Sequence, residues 1–124
     1  MFHIFDTEIA TRYGINAAVI FQNIAFWCDH SRANNANFYD GHYWTFNSVR
    51  AFQDQFPYLG KKQIDNAIRK LVDEGLIVKG NYNKVAYDRT TWYSLTENGE
   101  MLFHKKGNPL LQNGTIDLPK KGNG

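Results

Sequence analysis

The chain has 124 residues and one cysteine, Cys28, so it holds one domain-sized core, excludes an intramolecular disulfide and fits a reducing, cytoplasmic setting. No apolar run approaches the ~20 residues that span a bilayer, and with acidic residues soon after Met1 no signal peptide is expected. The net charge of +2 is uneven: residues 1–60 and 90–104 each carry −2, whereas 61–89 and 105–124 each carry +3, so a nucleic-acid footprint is confined to the latter two segments.

In chain order, Asp6 or Thr7 caps a short helix through Tyr13, with Gly14 as its left-handed stop. Asn16 caps a second helix to about Cys28 or Asp29 that is apolar nearly all round. Ile15, Ala18, Val19 and Phe26 form one stripe; Ile20, Phe21, Ile24 and Trp27 form another on the far side. The first stripe is expected to serve the core, and the second to form a homodimer or higher homo-oligomer interface.

Residues 31–37 read as a polar loop. Asp40-Gly41 between Phe38-Tyr39 and His42-Tyr43-Trp44-Thr45 predicts a tight hairpin. Asn47 or Ser48 caps a helix carrying Val49, Phe52 and Phe56, which Pro57 stops. Tyr58-Leu59-Gly60 leads tightly into a helix from Lys61 to about Glu74, ended by Gly75. Leu76–Lys79 is a strand, residues 80–88 a polar loop, and Arg89–Leu95 a strand rich in β-formers. Thr96-Glu97 opens a last short helix with Met101, Leu102 and Phe103. The lysines and Asn/Gly/Pro punctuation of residues 105–124 read as a flexible linker, expected to lead to a further domain. The fold expected of residues 1–104 is therefore α+β and mostly helical: a winged helix-turn-helix with a short N-terminal helical extension and a small β-hairpin wing.

The helix from Lys61 carries Ile64, Ala67, Ile68, Leu71 and Val72 on one stripe. At 100° per residue the opposite face presents Lys62, Asn66, Arg69 and Asp73, with Lys70 to one side. Arg pairs bidentately with guanine, Asn with adenine, and Lys holds phosphate, which is what reading a major groove requires. Lys61, Lys62 and Gln63 stand at the helix N-terminus, where the backbone adds partial positive charge. Lys79, Asn83, Lys84 and Arg89 in and beside the following loop extend the set to a wing, while Asp65, Asp73 and Glu74 dilute it. A solvated helix face and an ordinary polar loop are the competing explanations. Trp44, Trp92 and Tyr93 are expected in the core, and His3 and His104 on the surface.

Several motifs in order resemble the N-terminal winged-helix domain of phage and prophage replication proteins, the replisome-organizer or DnaD-like group. They are Ile15-Asn16-Ala17-Ala18 after Gly14, Asp40-Gly41-His42-Tyr43-Trp44, and Phe56 through Ile64. Ile68-Arg69-Lys70-Leu71, Gly75-Leu76-Ile77 and Asp88 through Tyr93 complete them, so that roughly residues 1–96 are covered. The resemblance implies binding of origin or primosomal double-stranded DNA, self-association, and a downstream region that engages helicase-loading proteins. Gly60 departs from the group's usual Ser helix cap. Two alternatives stay open. Leu95-Thr96-Glu97-Asn98-Gly99 resembles the strand-to-helix junction of MarR-like transcriptional regulators. The −1 net charge of residues 1–104 suits a protein-interaction module. Cys28, His30, Asp40 and His42 match no zinc spacing, and no catalytic constellation or cofactor loop appears, so the expectation is a binding protein with no enzymatic activity, cofactor, metal or membrane partner.

Overall fold

A computed structural model describes residues 1–105, so the linker expected over 105–124 lies outside the described residues apart from Lys105, which closes the last helix. The first helix, α1 (Thr7–Tyr13), starts where the Asp6 carboxylate accepts the N–H groups of Glu8 and Ile9 at 2.8 and 3.1 Å. Gly14, at φ 94°, ends α1 and also caps α2 (Ile15–Ala33), so the two helices meet at one residue. Asn16, expected as the cap of α2, lies inside its first turn.

α2 also runs past the expected end at Cys28 or Asp29. Its last turn is held by tertiary contacts: Ser31 Oγ donates to the Trp44 carbonyl at 2.8 Å, and Arg32 bridges Asp29 and Glu100, each at 2.9 Å. Beyond it Asn35 and Asn37 adopt left-handed φ values of 51° and 55°, a region asparagine tolerates.

β1 (Phe38–Tyr39) and β2 (His42–Tyr43) pair around Asp40-Gly41, whose φ values of 52° and 80° fit a two-residue hairpin turn. A further short strand, β3 (Thr45–Asn47), precedes α3 (Val49–Gln55), which Ser48 caps by accepting the Ala51 N–H at 3.1 Å. Val49 is 40 % exposed and stands outside the stripe that Phe52 and Phe56 bury. A tight connection leads to α4 (Lys61–Asp73), followed by Gly75 at φ 75°, β4 (Ile77–Gly80), β5 (Thr91–Leu95) and α5 (Glu97–Lys105).

The architecture is α+β, about half helical, with a two-stranded hairpin and a three-stranded antiparallel sheet of order β3-β5-β4. Thr45, Tyr93 and Lys79 are register partners across this sheet, as are Phe46, Trp92 and Gly80 one residue on, so the two sets point to opposite faces. Tyr93 and Leu95 join the helical core with Phe21, Phe52, Phe56, Ile64 and Leu71. Over the other face the hairpin folds back. Trp44 Nε1 donates to the Tyr39 carbonyl at 2.9 Å, Tyr39 stacks on Tyr82 at 4.6 Å, and Tyr82 packs edge-on against Trp92. Gly80 permits this closure, since a Cβ there would lie 2.9 Å from the Trp44 ring.

α2 is the axis of the molecule, contacting α1, α4, α5 and strands of both sheets. This corrects the interface expected on it. Ile20, Phe21 and Ile24 are 0–1 % exposed and belong to the chain's own core; of the four residues assigned to a homo-oligomer contact only Trp27 reaches solvent. The chain itself covers most of this helix, while Ile15 and Phe26, on the stripe expected to serve the core, are 59 % and 39 % exposed. Among the described residues no helix is long and apolar enough to cross a membrane.

Candidate nucleic-acid interface

The helical period sorts α4 as its sequence requires. Ile64, Ala67, Ile68 and Leu71 are buried, and Lys61, Lys62, Gln63, Asn66, Arg69 and Lys70 are exposed. Not all of the exposed groups are free. Lys61 Nζ pairs with Asp65 at 2.9 Å one turn on. Gln63 Oε1 accepts the Gly60 N–H at 2.9 Å; since glycine has no side chain to reciprocate, this is half of a capping box. Arg69 donates to Asn66 Oδ1 at 3.3 Å, which holds the two side chains beside each other on the outer face. Lys62 and Lys70 are exposed cations at the start and in the last turn of the helix.

Gln63, Asn66 and Lys70, spaced to share one flank, line a shallow groove of about 360 Å³ with Tyr13, Gly14 and Asn16 at the α1–α2 junction. Neither Tyr13 nor Asn16 was expected at a site from the sequence, where Asn16 reads as a helix cap and Tyr13 as a helix end. The available signal was Gly14 between two helical patterns, which forces the junction into a corner that α4 packs beside.

The loop between β4 and β5 supplies the second half of the basic set. Lys79, Lys84 and Arg89 are exposed. Lys79 is on the Tyr93 side of the sheet, the side that α4 helps to cover. Asn83 is a correction: its side chain is consumed inside the loop. Nδ2 donates to the carbonyls of Asp88 and Thr90 at 3.1 and 2.7 Å, and Oδ1 accepts the Trp92 indole N–H at 2.7 Å. It staples the loop to β5 and has no amide face left for a base. Asp88 accepts the Thr90 N–H at 2.9 Å, which holds its carboxyl below the usual range; the loop therefore keeps a negative charge next to Arg89 at neutral pH.

Beside the loop a cleft of about 410 Å³ opens between it and the hairpin, lined by Tyr39, Phe46, Tyr82, Trp92 and Lys84 among others. Trp44, Trp92 and Tyr93 are buried, while Phe46 and Tyr39 are about half exposed at its rim. His3 is not a plain surface residue. Its ring packs on Phe56 with centroids 4.5 Å apart, and Nδ1 lies 2.7 Å from the Tyr58 hydroxyl. His104 is exposed and lies 3.0 Å from Glu100.

No protein family, curated protein or solved structure matches the chain.

Proposed function

We propose that this chain is a winged helix-turn-helix domain that binds double-stranded DNA, as part of a phage-type replication initiation protein, and that it is not an enzyme. The order of elements supports the fold reading: α2, the β1–β2 hairpin and β3, α3, a tight turn, α4, then β4 and β5 joined by a basic loop, with β3 pairing alongside β5. α4 then takes the place of the helix that enters the major groove, and residues 81–90 form the wing. The observation that carries the functional reading is the exposed flank of α4. There Arg69 and Asn66 stand side by side, Lys62 and Lys70 are exposed around them, and the wing's Lys84 is exposed as well. Arg69 and Asn66 read base edges, and Lys62, Lys70, Lys79, Lys84 and Arg89 hold phosphates. The replication role rests on the resemblance of the motifs above.

Titration of labelled duplexes at two salt concentrations tests it. Arg69→Ala is expected to lose about 1–3 kcal/mol on a preferred site and to relax preference at one position. Lys84→Ala is expected to weaken all duplexes alike and to lower the salt slope by about one. Both side chains are exposed, so both variants melt like wild type. Wild type that binds no duplex above background at low salt refutes the reading and leaves the interaction-module alternative.

A further inference from the structure

The β1–β2 hairpin leaves part of the outer sheet face open as the cleft beside the β4–β5 loop. Its volume of about 410 Å³ falls within the ~300–1,000 Å³ of sites that hold small molecules. Aromatic rings form much of its wall. Trp92 is nearly buried; Phe46 packs on it with centroids 4.6 Å apart, and Tyr39 meets it edge-on at 5.8 Å. Tyr39 also lies parallel to Tyr82 at 4.6 Å. Phe46 is 49 % exposed and Tyr39 40 %, so both rings keep surface toward solvent.

The polar side chains of the cleft are largely spent within the chain. Trp92 and Asn83 are tied together, and Asn83 is tied to the carbonyls of Asp88 and Thr90. The Tyr82 hydroxyl donates to Asp40 at 2.5 Å, and Asp88 accepts the Thr90 N–H at 2.9 Å. These bonds hold the rings in place before any ligand arrives. What the cleft offers is ring surface and a cation, Lys84, which lines it and is exposed. Charge around it is mainly positive, since residues 79–90 carry Lys79, Lys84 and Arg89 against Asp88 alone.

We propose that this cleft takes an unpaired base of single-stranded DNA, which stacks on Phe46 and Tyr39 while Lys84 holds its phosphate. Every base has a π-face, so such stacking tolerates any sequence and needs no free hydrogen-bonding group in the cleft. A peptide gains less there, because its own amides need partners and the polar side chains are taken. A base inside a duplex is already stacked on its neighbours and does not enter. The cleft thus takes separated strands, whereas the α4 flank takes paired ones. The choice of DNA over RNA rests on the duplex reading above; the stacking itself does not.

Fluorescence anisotropy of the whole chain with a labelled dT oligomer of about eight nucleotides, at low salt, tests the proposal. An oligomer with the same backbone but no bases is the charge-only control, and lysines elsewhere in the chain attract both alike. Wild type is expected to bind dT at least about fivefold more tightly than the abasic strand. Phe46→Leu keeps an apolar side chain without the ring; it should melt like wild type and lose most of that difference. Phe46→Tyr keeps the ring and should retain it. Met101→Gln, which changes an exposed apolar residue on α5, should behave as wild type. Equal binding of dT and the abasic strand by wild type overturns the proposal. So does a Phe46→Leu variant that still prefers dT, or a Met101→Gln variant that does not. No binding of dT above background overturns it too and leaves a peptide as the occupant, and an rU oligomer that binds more tightly than dT overturns the choice of DNA. A wild type that prefers dT but binds no duplex refutes the α4 reading and leaves the stacking cleft standing, so the two failures are distinguishable.

Discussion

Gly99 sets helix propensity against packing, and the two give opposite signs for Gly99→Ala. The residue stands in the first turn of α5, where alanine is better than glycine by about 0.8–1.0 kcal/mol on propensity alone. A Cβ on Gly99, however, would lie 2.1 Å from the Leu76 carbonyl oxygen and 3.1 Å from its carbon. Carbon and oxygen pack no closer than about 3.3 Å, so the backbone must separate by about 1 Å. The obstacle is main chain and cannot rotate away. The Leu76 carbonyl accepts the Thr96 N–H at 3.1 Å, while Thr96 Oγ1 accepts the Gly99 N–H at 3.0 Å and donates to the Gly75 carbonyl at 2.5 Å. Overpacking costs about 1–3 kcal/mol, and stretching the two bonds from Thr96 across to Leu76 and Gly75 adds about 2 kcal/mol. After the propensity gain is subtracted, the loss is about 2–4 kcal/mol, or roughly 10–25 °C in melting temperature for a domain near this size. Thermal and urea melts followed by circular dichroism measure it, with Asn98→Ala, an exposed neighbour, as the propensity control. If Gly99→Ala melts at or above wild type, the close approach of α5 to Leu76 is wrong.

Gly60→Ser should raise stability by a few tenths to about 1 kcal/mol in the same melts, because it completes the capping box that Gln63 half makes; the backbone there is extended and an added Cβ meets nothing nearer than Gln63 Oε1 at 3.8 Å. Asn83→Ala should cost about 1–3 kcal/mol by leaving the Trp92 indole and two carbonyls unpaired, and should speed trypsin cleavage after Lys84 and Arg89; unchanged cleavage would show that Asn83 does not hold the β4–β5 loop. Burial, with help from the Glu100 charge, pushes the Cys28 thiol from its ordinary 9.0 up to about 12. Its folded form thus keeps a proton that the unfolded form loses. The stability it contributes is complete below pH 9 and falls between about pH 9 and 12, by at most ~1.4 kcal/mol per pH unit. A native thiol that reacts with a disulfide reagent at pH 8 as fast as the unfolded chain would contradict that burial.

Elements set by local chemistry were legible in the sequence. Asp6, Ser48 and Gly75 mark helix ends because a cap is a contact within a few residues, and Asp40-Gly41 marks a turn because positive φ is a property of the residues themselves. Where the reading departed from the structure, the deciding contact was distant in sequence. The last turn of α2 depends on Trp44 and Glu100, neither of which a window around Ser31 contains. β3 is three residues long, too short to show a period, and exists because β5 pairs with it. The apolar girth of α2 is buried over most of its circumference, with Ile15, Phe26 and Trp27 left exposed. Periodicity cannot say whether the covering surface comes from the same chain, and α1, α4, α5 and the sheets supply most of it.

The same distinction divides the polar residues of the candidate sites. Period alone placed Lys62, Asn66, Arg69 and Lys70 on the outside of α4, but exposure does not establish availability. Lys61 is tied to Asp65, Gln63 to its own helix start, and Asn83 to Trp92, so these three serve the fold before any ligand. The converse case is at Gln22 and Asn23. These two residues lie in the middle of an apolar helix, where sequence gives them no role, and His3 reads as terminal surface. Only placement shows Asn23 and His3 bonded at one end and unpaired at the other, and Gln22 Nε2 buried without a partner among the described residues.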